Sequence, residues 1–212
     1  MLTDEEIVNR IVNGEINLYE TLIRKYNQRL YRIGRSIIND DQEVEDIMQT
    51  TYLNAYLKLS SFKNKSTFGT WLTKILINES LLHKKRKVKL DNILIEKQRA
   101  DYHTDTPLNN LMNSELKTIL EKSISVLPEK YRLVFVLREI EEISTNETME
   151  MLNLSESNVK VRLTRAKEML RDSLSNHYKS SGIYDFHLTR CDRITHHVME
   201  QIRKNVQQVN ID

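Results

Sequence analysis

From Val44 to Leu59 the sequence VEDIMQTTYLNAYLKL sets Val44, Ile47, Met48, Thr51, Tyr52, Ala55, Tyr56 and Leu59 at intervals mostly of three and four. That spacing draws one continuous, largely apolar stripe along a helix, with no breaker inside it. Such a helix must bury its stripe, and the rest of the chain offers helical partners for it. Only 4 glycines and 2 prolines occur in 212 residues, and no cluster of turn residues recurs. Strands joined by tight turns need those residues, so the expected fold is all-α, with short polar connections.

The net charge of +2 conceals strong local contrast. Asp40, Asp41, Glu43, Glu45 and Asp46 succeed one another with no base between them, and Lys84, Lys85, Arg86, Lys87 and Lys89 with no acid. Blocks of opposite sign suggest two kinds of partner surface and argue against a uniformly basic coat. A single cysteine, Cys191, excludes an internal disulfide framework and fits a reducing compartment. The first residues, MLTDEEIVNR, lack the layout of a signal peptide, and no apolar run approaches a membrane span. A cytoplasmic protein is the expectation.

Along the chain, Ile7, Ile11, Leu18, Leu22 and Tyr26 mark helix faces interrupted near Asn13 and Gly14. The 44–59 stripe stops at Ser60, and SSFKNKS reads as a polar loop. Ser66 or Thr67 then caps a helix with Phe68, Trp71, Leu72, Ile75, Leu76 and Leu82 on its face, ending in HKKRK. Leu90 to Asn110 mixes charges, Asn, Thr and Pro107 without a sustained period and reads as a linker. A second helical unit starts near Met112, and Pro128 opens a further helix carrying Tyr131, Val134, Phe135 and Leu137. Ser144 caps a short helix to Leu152, Asn153 suits a left-handed turn, and Ser155 caps the next stretch. Two short helices joined by a tight turn, the second basic, form a helix-turn-helix pattern.

That second helix, NLSESNVKVRLTRAKEML, holds Lys160, Arg162, Arg165 and Lys167. With Val159 inward, Leu163, Ala166 and Leu170 share its face, while Ser157, Val161, Thr164, Arg165 and Glu168 lie opposite. Lys160, Arg162 and Lys167 flank the apolar stripe. A solvated surface helix accounts for this pattern, and so does a helix lying in the major groove. There Lys and Arg neutralise phosphates, Arg reads guanine edges, and Val161 and Thr164 touch thymine methyls. The capped partner helix and its turn favour DNA.

At this point the chain resembles the extracytoplasmic-function sigma factors, small promoter-recognition subunits of bacterial RNA polymerase. The resemblance is carried by VEDIMQTTYLNAYLKL (44–59), STFGTWLTKILINES (66–80) and the stretch from Leu127 to Leu170, LPEKYRLVFVLREIEEISTNETMEMLNLSESNVKVRLTRAKEML. It implies two small helical domains on a flexible linker. Region two (1–90) grips core polymerase and opens the minus-ten element, 91–111 is the linker, and region four (112–180) reads the minus-thirty-five element. Residues 181–212 are a C-terminal helical extension. By the same resemblance, Glu43, Asp46 and Gln49 contact the polymerase. Lys63, Asn64, Lys65 and Ser66 form a loop that captures an unstacked minus-ten base, with Asn78, Lys84, Lys85 and Arg86 on the nearby strand. Removing a base from its stack costs a few kcal/mol, so donors and cations beside the pocket are needed. Ser157, Asn158, Lys160, Val161, Arg162, Thr164, Arg165 and Lys167 then face the minus-thirty-five element. Trp71 is tempting as a stacking platform, but its spacing with Phe68 and Ile75 assigns it to the core.

The chain departs from the family pattern at Thr148 and Met149, where an aliphatic residue and alanine are usual, and at Asn153, where glycine is common. Met149 puts the crossing of the two short helices in question. In the tail, Cys191, Ile194, Val198, Ile202 and Val206 suggest one more amphipathic helix. His187, Cys191, His196 and His197 could be drawn as a metal site, but a cysteine on an apolar stripe reads better as a buried hydrophobe, so no metal or other cofactor is expected. No glycine-rich phosphate loop or nucleophile motif supports an enzyme. The resemblance names core RNA polymerase and promoter DNA as partners, with an anti-sigma factor as a further one because many relatives have it. The competing reading is a stand-alone helix-turn-helix regulator, which has no need of the acid-led helix and polar loop of residues 40–80.

Overall fold

The computed structural model describes residues 2–63, 65–93, 111–180 and 192–200. Among them there is no strand, and the fold is all-α. Helices α1 (Asp4–Val12), α2 (Tyr19–Arg35), α3 (Asp41–Leu57) and α4 (Phe68–Ile93) make the N-terminal region, with short 3-10 turns at Ile16–Leu18 and Leu59–Ser61. Helices α5 (Leu111–Ser125), α6 (Glu129–Phe135), α7 (Thr145–Leu152) and α8 (Glu156–Ser180) make the C-terminal region. Residues 2–172 belong to one compact unit, which holds both regions up to the middle of α8.

Side-chain caps close the starts of α1, α3 and α4. Thr3 closes a capping box with Glu6 on α1, and the Asp40 carboxylate accepts from the Glu43 amide at 2.9 Å. Thr67, one of the two caps anticipated for α4, accepts from the Thr70 amide at 3.2 Å. Such caps satisfy amides that have no partner inside the helix and contribute about 0.5–2 kcal/mol each. Helix α4 runs past its basic segment to Ile93. Of the proposed 91–111 linker, 91–93 thus belong to α4 and Leu111 opens α5, while 94–110 lie outside the described residues.

The N-terminal region wraps its helices around Leu22, Leu30, Ile33, Val44, Phe68, Leu72 and Leu76, all fully buried. The α2–α3 contact is close because Gly34 faces Val44: a Cβ there would lie 2.8 Å from Val44 Cγ1. Phe62, Phe68 and Trp71 pack together at ring separations of 5.2–5.8 Å. Trp71 is only partly buried against the core, yet its ring is engaged there as its spacing suggested. Buried Tyr19 donates to the Tyr52 carbonyl at 2.7 Å, and Tyr52 in turn reaches Asn27 at 3.0 Å. Burial pushes both phenols well above their ordinary range.

In the C-terminal region α6 widens into five residues of π-helix, Val136–Ile140, where the Glu141 amide returns to the Val136 carbonyl at 2.9 Å. Glu142 then turns the chain with a positive φ of 53°. Such widened turns are uncommon and had no sequence signature here. Residues 192–200 form a further helix, on which Ile194 and Val198 are exposed. Residues 181–191 and 201–212, with His187, Cys191, Ile202 and Val206, lie outside the described residues.

Candidate nucleic-acid interface

The helix-turn-helix is built by local hydrogen bonds. Ser144 and Glu147 close a capping box at the start of α7. Asn153 occupies the left-handed position, φ 52° and ψ 50°, and the Leu154 amide bonds the Met149 carbonyl at 3.1 Å. Asparagine tolerates this conformation better than most residues with a Cβ. Ser155 then receives the Asn158 amide at 3.4 Å and opens α8. Thr148 is fully buried and its hydroxyl returns to the Ser144 carbonyl at 2.9 Å, while Met149 is only half-buried. The larger side chain at 149 therefore sits beside the crossing and leaves its centre to Thr148.

On α8, Val159, Ala166 and Leu170 are buried, the last two against Leu127 and Tyr131. This fixes which side faces out. Ser157, Asn158, Lys160, Val161, Thr164, Arg165 and Lys167 are all exposed, and Arg162 is half-buried on the flank. Three cations already have partners. Lys160 pairs with Glu156 at 2.6 Å one turn back, and Lys167 with Glu139 at 2.9 Å. Arg165 donates to the Tyr131 hydroxyl at 3.2 Å, which holds that phenol below its ordinary range. The exposed pairs cost little to exchange for phosphates, whereas Tyr131 fixes the direction of Arg165 from inside the fold.

In the N-terminal region, Lys63 and Lys65 are exposed, Ser66 is half-buried, and Asn64 lies outside the described residues. Asn78 is exposed about 15 Å along α4 from its first residue, at 1.5 Å per residue. Lys84, Lys85 and Arg86 are exposed further on, with Lys84 paired to Glu129 of α6. The loop and the helix end thus lie along one helix axis.

Of the three residues expected at the polymerase, Asp46 and Gln49 are exposed on α3. Glu43 instead turns to α4, where it meets His83 at 3.2 Å and also pairs with Lys87. Sequence reasoning missed two leucines beyond Asp46 and Gln49 on the same helix. Leu53 and Leu57 are 66% and 77% exposed. The signal was there: both are absent from the buried stripe, and they continue the Asp46–Gln49 side at helical spacing.

The fold and these faces define an all-α protein with a positioned helix-turn-helix and a separate helix whose exposed face is partly apolar. Residues 22–89 match the Sigma-70 region 2 family, and residues 117–170 match Sigma-70, region 4. The chain is 29% identical over 182 residues to the ECF RNA polymerase sigma-E factor of Haemophilus influenzae, covering 82% of this chain and 96% of the relative. It is 27% identical over 187 residues to the ECF RNA polymerase sigma factor SigW of Bacillus subtilis, covering 79% and 94%. Among solved structures, the sigma factor RpoE of Bartonella quintana, in complex with the anti-sigma factor NepR, has the same fold. Its TM-score is 0.61 at 20% identity, over 74% of this chain and 96% of that one. CnrH, in complex with the cytosolic domain of CnrY, gives a TM-score of 0.57 at 21% identity, over 80% and 96%. The chain belongs to the extracytoplasmic-function sigma factors of the sigma-70 family.

Proposed function

We propose that this sigma factor binds core RNA polymerase through α3, reads a minus-thirty-five element with α8, and holds an opened minus-ten strand along the 60–66 loop and α4. Its division of labour runs over residues 1–90, 91–111 and 112–180, with 181–212 as an extension of unassigned role. The chain itself breaks and forms no bond, and it acts in the cytoplasm. Among the described residues no helix is long and apolar enough to cross a membrane.

One observation favours this reading over a stand-alone regulator: the exposed Leu53 and Leu57 beside Asp46 and Gln49. An apolar ridge bordered by an acid and an amide suits a basic, partly apolar protein surface, and a repressor has no use for it. On α8, Arg165 is the candidate for base-edge readout and Val161 and Thr164 for thymine methyls. Lys160, Arg162 and Lys167 are suited to phosphates, with Ser157 and Asn158 at the helix N-terminus adding donors. Lys63, Asn64, Lys65 and Ser66 supply the donors an unstacked base requires, and Asn78, Lys84, Lys85 and Arg86 run along the strand. An anti-sigma factor, a partner named for the Bartonella quintana neighbour, is a candidate regulator.

Transcription of a promoter library by purified core polymerase, with and without the protein, tests this. The expected result is a small set of start sites that appears only when the protein is present. Tight binding of duplex DNA by the protein alone, with no new start sites, would make it a stand-alone regulator.

A further inference from the structure

Tyr131 is held in the small core cluster of region four, 8% exposed, with Leu127, Ala166 and Leu170. Its hydroxyl nevertheless reaches the outer side of α8, where Arg165 Nη1 donates to it at 3.2 Å. The exposed Lys130 ammonium lies 4.9 Å from the centre of the same ring. Two cations thus meet on one buried phenol, and Arg165 first, then Lys130, hold it below its ordinary range. Two other bases of α8 are held differently. Lys160 and Lys167 rest against Glu156 and Glu139, carboxylates that offset their charge. Arg165 rests against a neutral oxygen, and among the described residues no carboxylate pairs with it. Glu168, one turn on, adds only a weaker through-space attraction.

We propose that Tyr131 is a positioning residue for the promoter-reading helix, aiming Arg165 at one guanine of the minus-thirty-five element. The inference deepens the sigma-factor reading and rests on it. A guanidinium carries its N–H donors in a rigid fork. Tyr131 takes one N–H of Nη1, and the edge formed by Nη2 and Nε has no partner among the described residues. In the major groove guanine offers two acceptors side by side, O6 and N7, which that edge matches in a bidentate contact. Adenine places a donor, N6, where guanine has O6, and leaves one N–H of the edge unpaired. A carboxylate in place of the phenol would aim the side chain equally well. It would also compete with the base for the guanidinium and repel the phosphates beside it. A neutral hydroxyl gives direction without that competition. The phenol cannot follow the guanidinium outward, because its ring is packed with Leu127, Ala166 and Leu170.

The test uses holoenzyme reconstituted from core polymerase and the full chain, on a promoter library randomised across the upstream element. The chains compared are wild type, Tyr131→Phe, Lys130→Ala, Arg165→Ala, and Tyr131→Phe combined with Arg165→Ala. Sequencing of the bound DNA reads the base preference at each position. Wild type is expected to favour guanine at one upstream position, and Arg165→Ala to abolish that preference. Tyr131→Phe keeps the packed ring and removes only the hydroxyl. It should lower the same preference by about three- to tenfold and leave the other positions unchanged. Added to Arg165→Ala, it should change nothing further. Lys130→Ala removes a charge but keeps the hydroxyl, so the guanine preference should remain. An undiminished guanine preference in Tyr131→Phe overturns the proposal. So does an equal loss at every position, which a purely structural tyrosine would give, or an equal loss of the guanine preference in Lys130→Ala. A base other than guanine at the position that Arg165→Ala erases also overturns it, as does a further loss from Tyr131→Phe in the Arg165→Ala background. Wild-type holoenzyme with no upstream preference at all would instead remove the minus-thirty-five reading itself, and the proposal with it.

Discussion

Region two and region four reach their folds by different routes. Region two supplies most of the larger core, in which Leu22, Leu30, Ile33, Phe68, Leu72 and Leu76 are fully buried. Region four places Leu127, Tyr131, Ala166 and Leu170 in a separate cluster, and turns Leu133, Val136, Leu137, Ile143 and Met151 toward region two. A short helix pair cannot bury much apolar surface alone, so region four compensates with local order: a capping box, a left-handed asparagine and a serine cap. The part proposed to read DNA is thus shaped by short-range hydrogen bonds and stabilised by long-range packing.

A cavity opened in each region separates the two routes. Leu72→Ala, at a fully buried position of α4, is expected to cost about 2–5 kcal/mol and to unfold both regions together. Leu137→Ala, in the shared core, is expected to cost a similar amount but to release region four first. Hydrogen exchange resolved by segment distinguishes the two. Equal loss of protection in α3 and α7 after Leu137→Ala would mean that the regions do not differ in this way.

A smaller effect comes from the caps. Ser144→Ala removes the acceptor for the Glu147 amide and should cost about 0.5–2 kcal/mol, read as a lower melting temperature together with weaker DNA binding by α8. Stability loss with unchanged DNA affinity would show that α8 is oriented by its core contacts alone.

The smallest effect is pH-dependent. Hydrogen bonds from Thr70, and then from Ser144, hold the Glu147 carboxyl below its ordinary range. Its folded-state value is depressed, so the stability it contributes is present above the unfolded carboxylate value of about 4.3 and is lost as pH falls through the lower folded value. Glu147→Gln should therefore be less stable than wild type near neutrality, and the gap should close in acid. Parallel stability curves across that range would mean that the carboxylate is not what ties α7 to Thr70.

These differences mark what could be read in the sequence. Ser144, Asn153 and Ser155 were legible because a cap acts within a few residues of itself. The inward face of α8 was legible because Val159, Ala166 and Leu170 repeat at the helical period. Glu141 carried no such mark: its partners Arg29 and Arg32 lie 112 and 109 residues away in sequence, and only the fold brings them together. Arg132 reads locally as an ordinary surface arginine of an amphipathic helix, yet the fold buries it against the Ser36 carbonyl. Leu53 and Leu57 were passed over for the opposite reason, since a search for a buried stripe discards the leucines that do not join it.

The most direct test of the central claim is a nuclease footprint of core polymerase, with this protein, on a promoter selected from the library. Two protected segments are expected about 25 base pairs apart, one DNA-reading face to each, at a spacing of roughly 85 Å. Lys160→Ala combined with Arg165→Ala should abolish the upstream segment, weakening binding about tenfold or more, and leave the downstream one in place. A single duplex footprint made by the protein alone and unaltered by core polymerase would contradict it, as would loss of the downstream segment alone in the double variant.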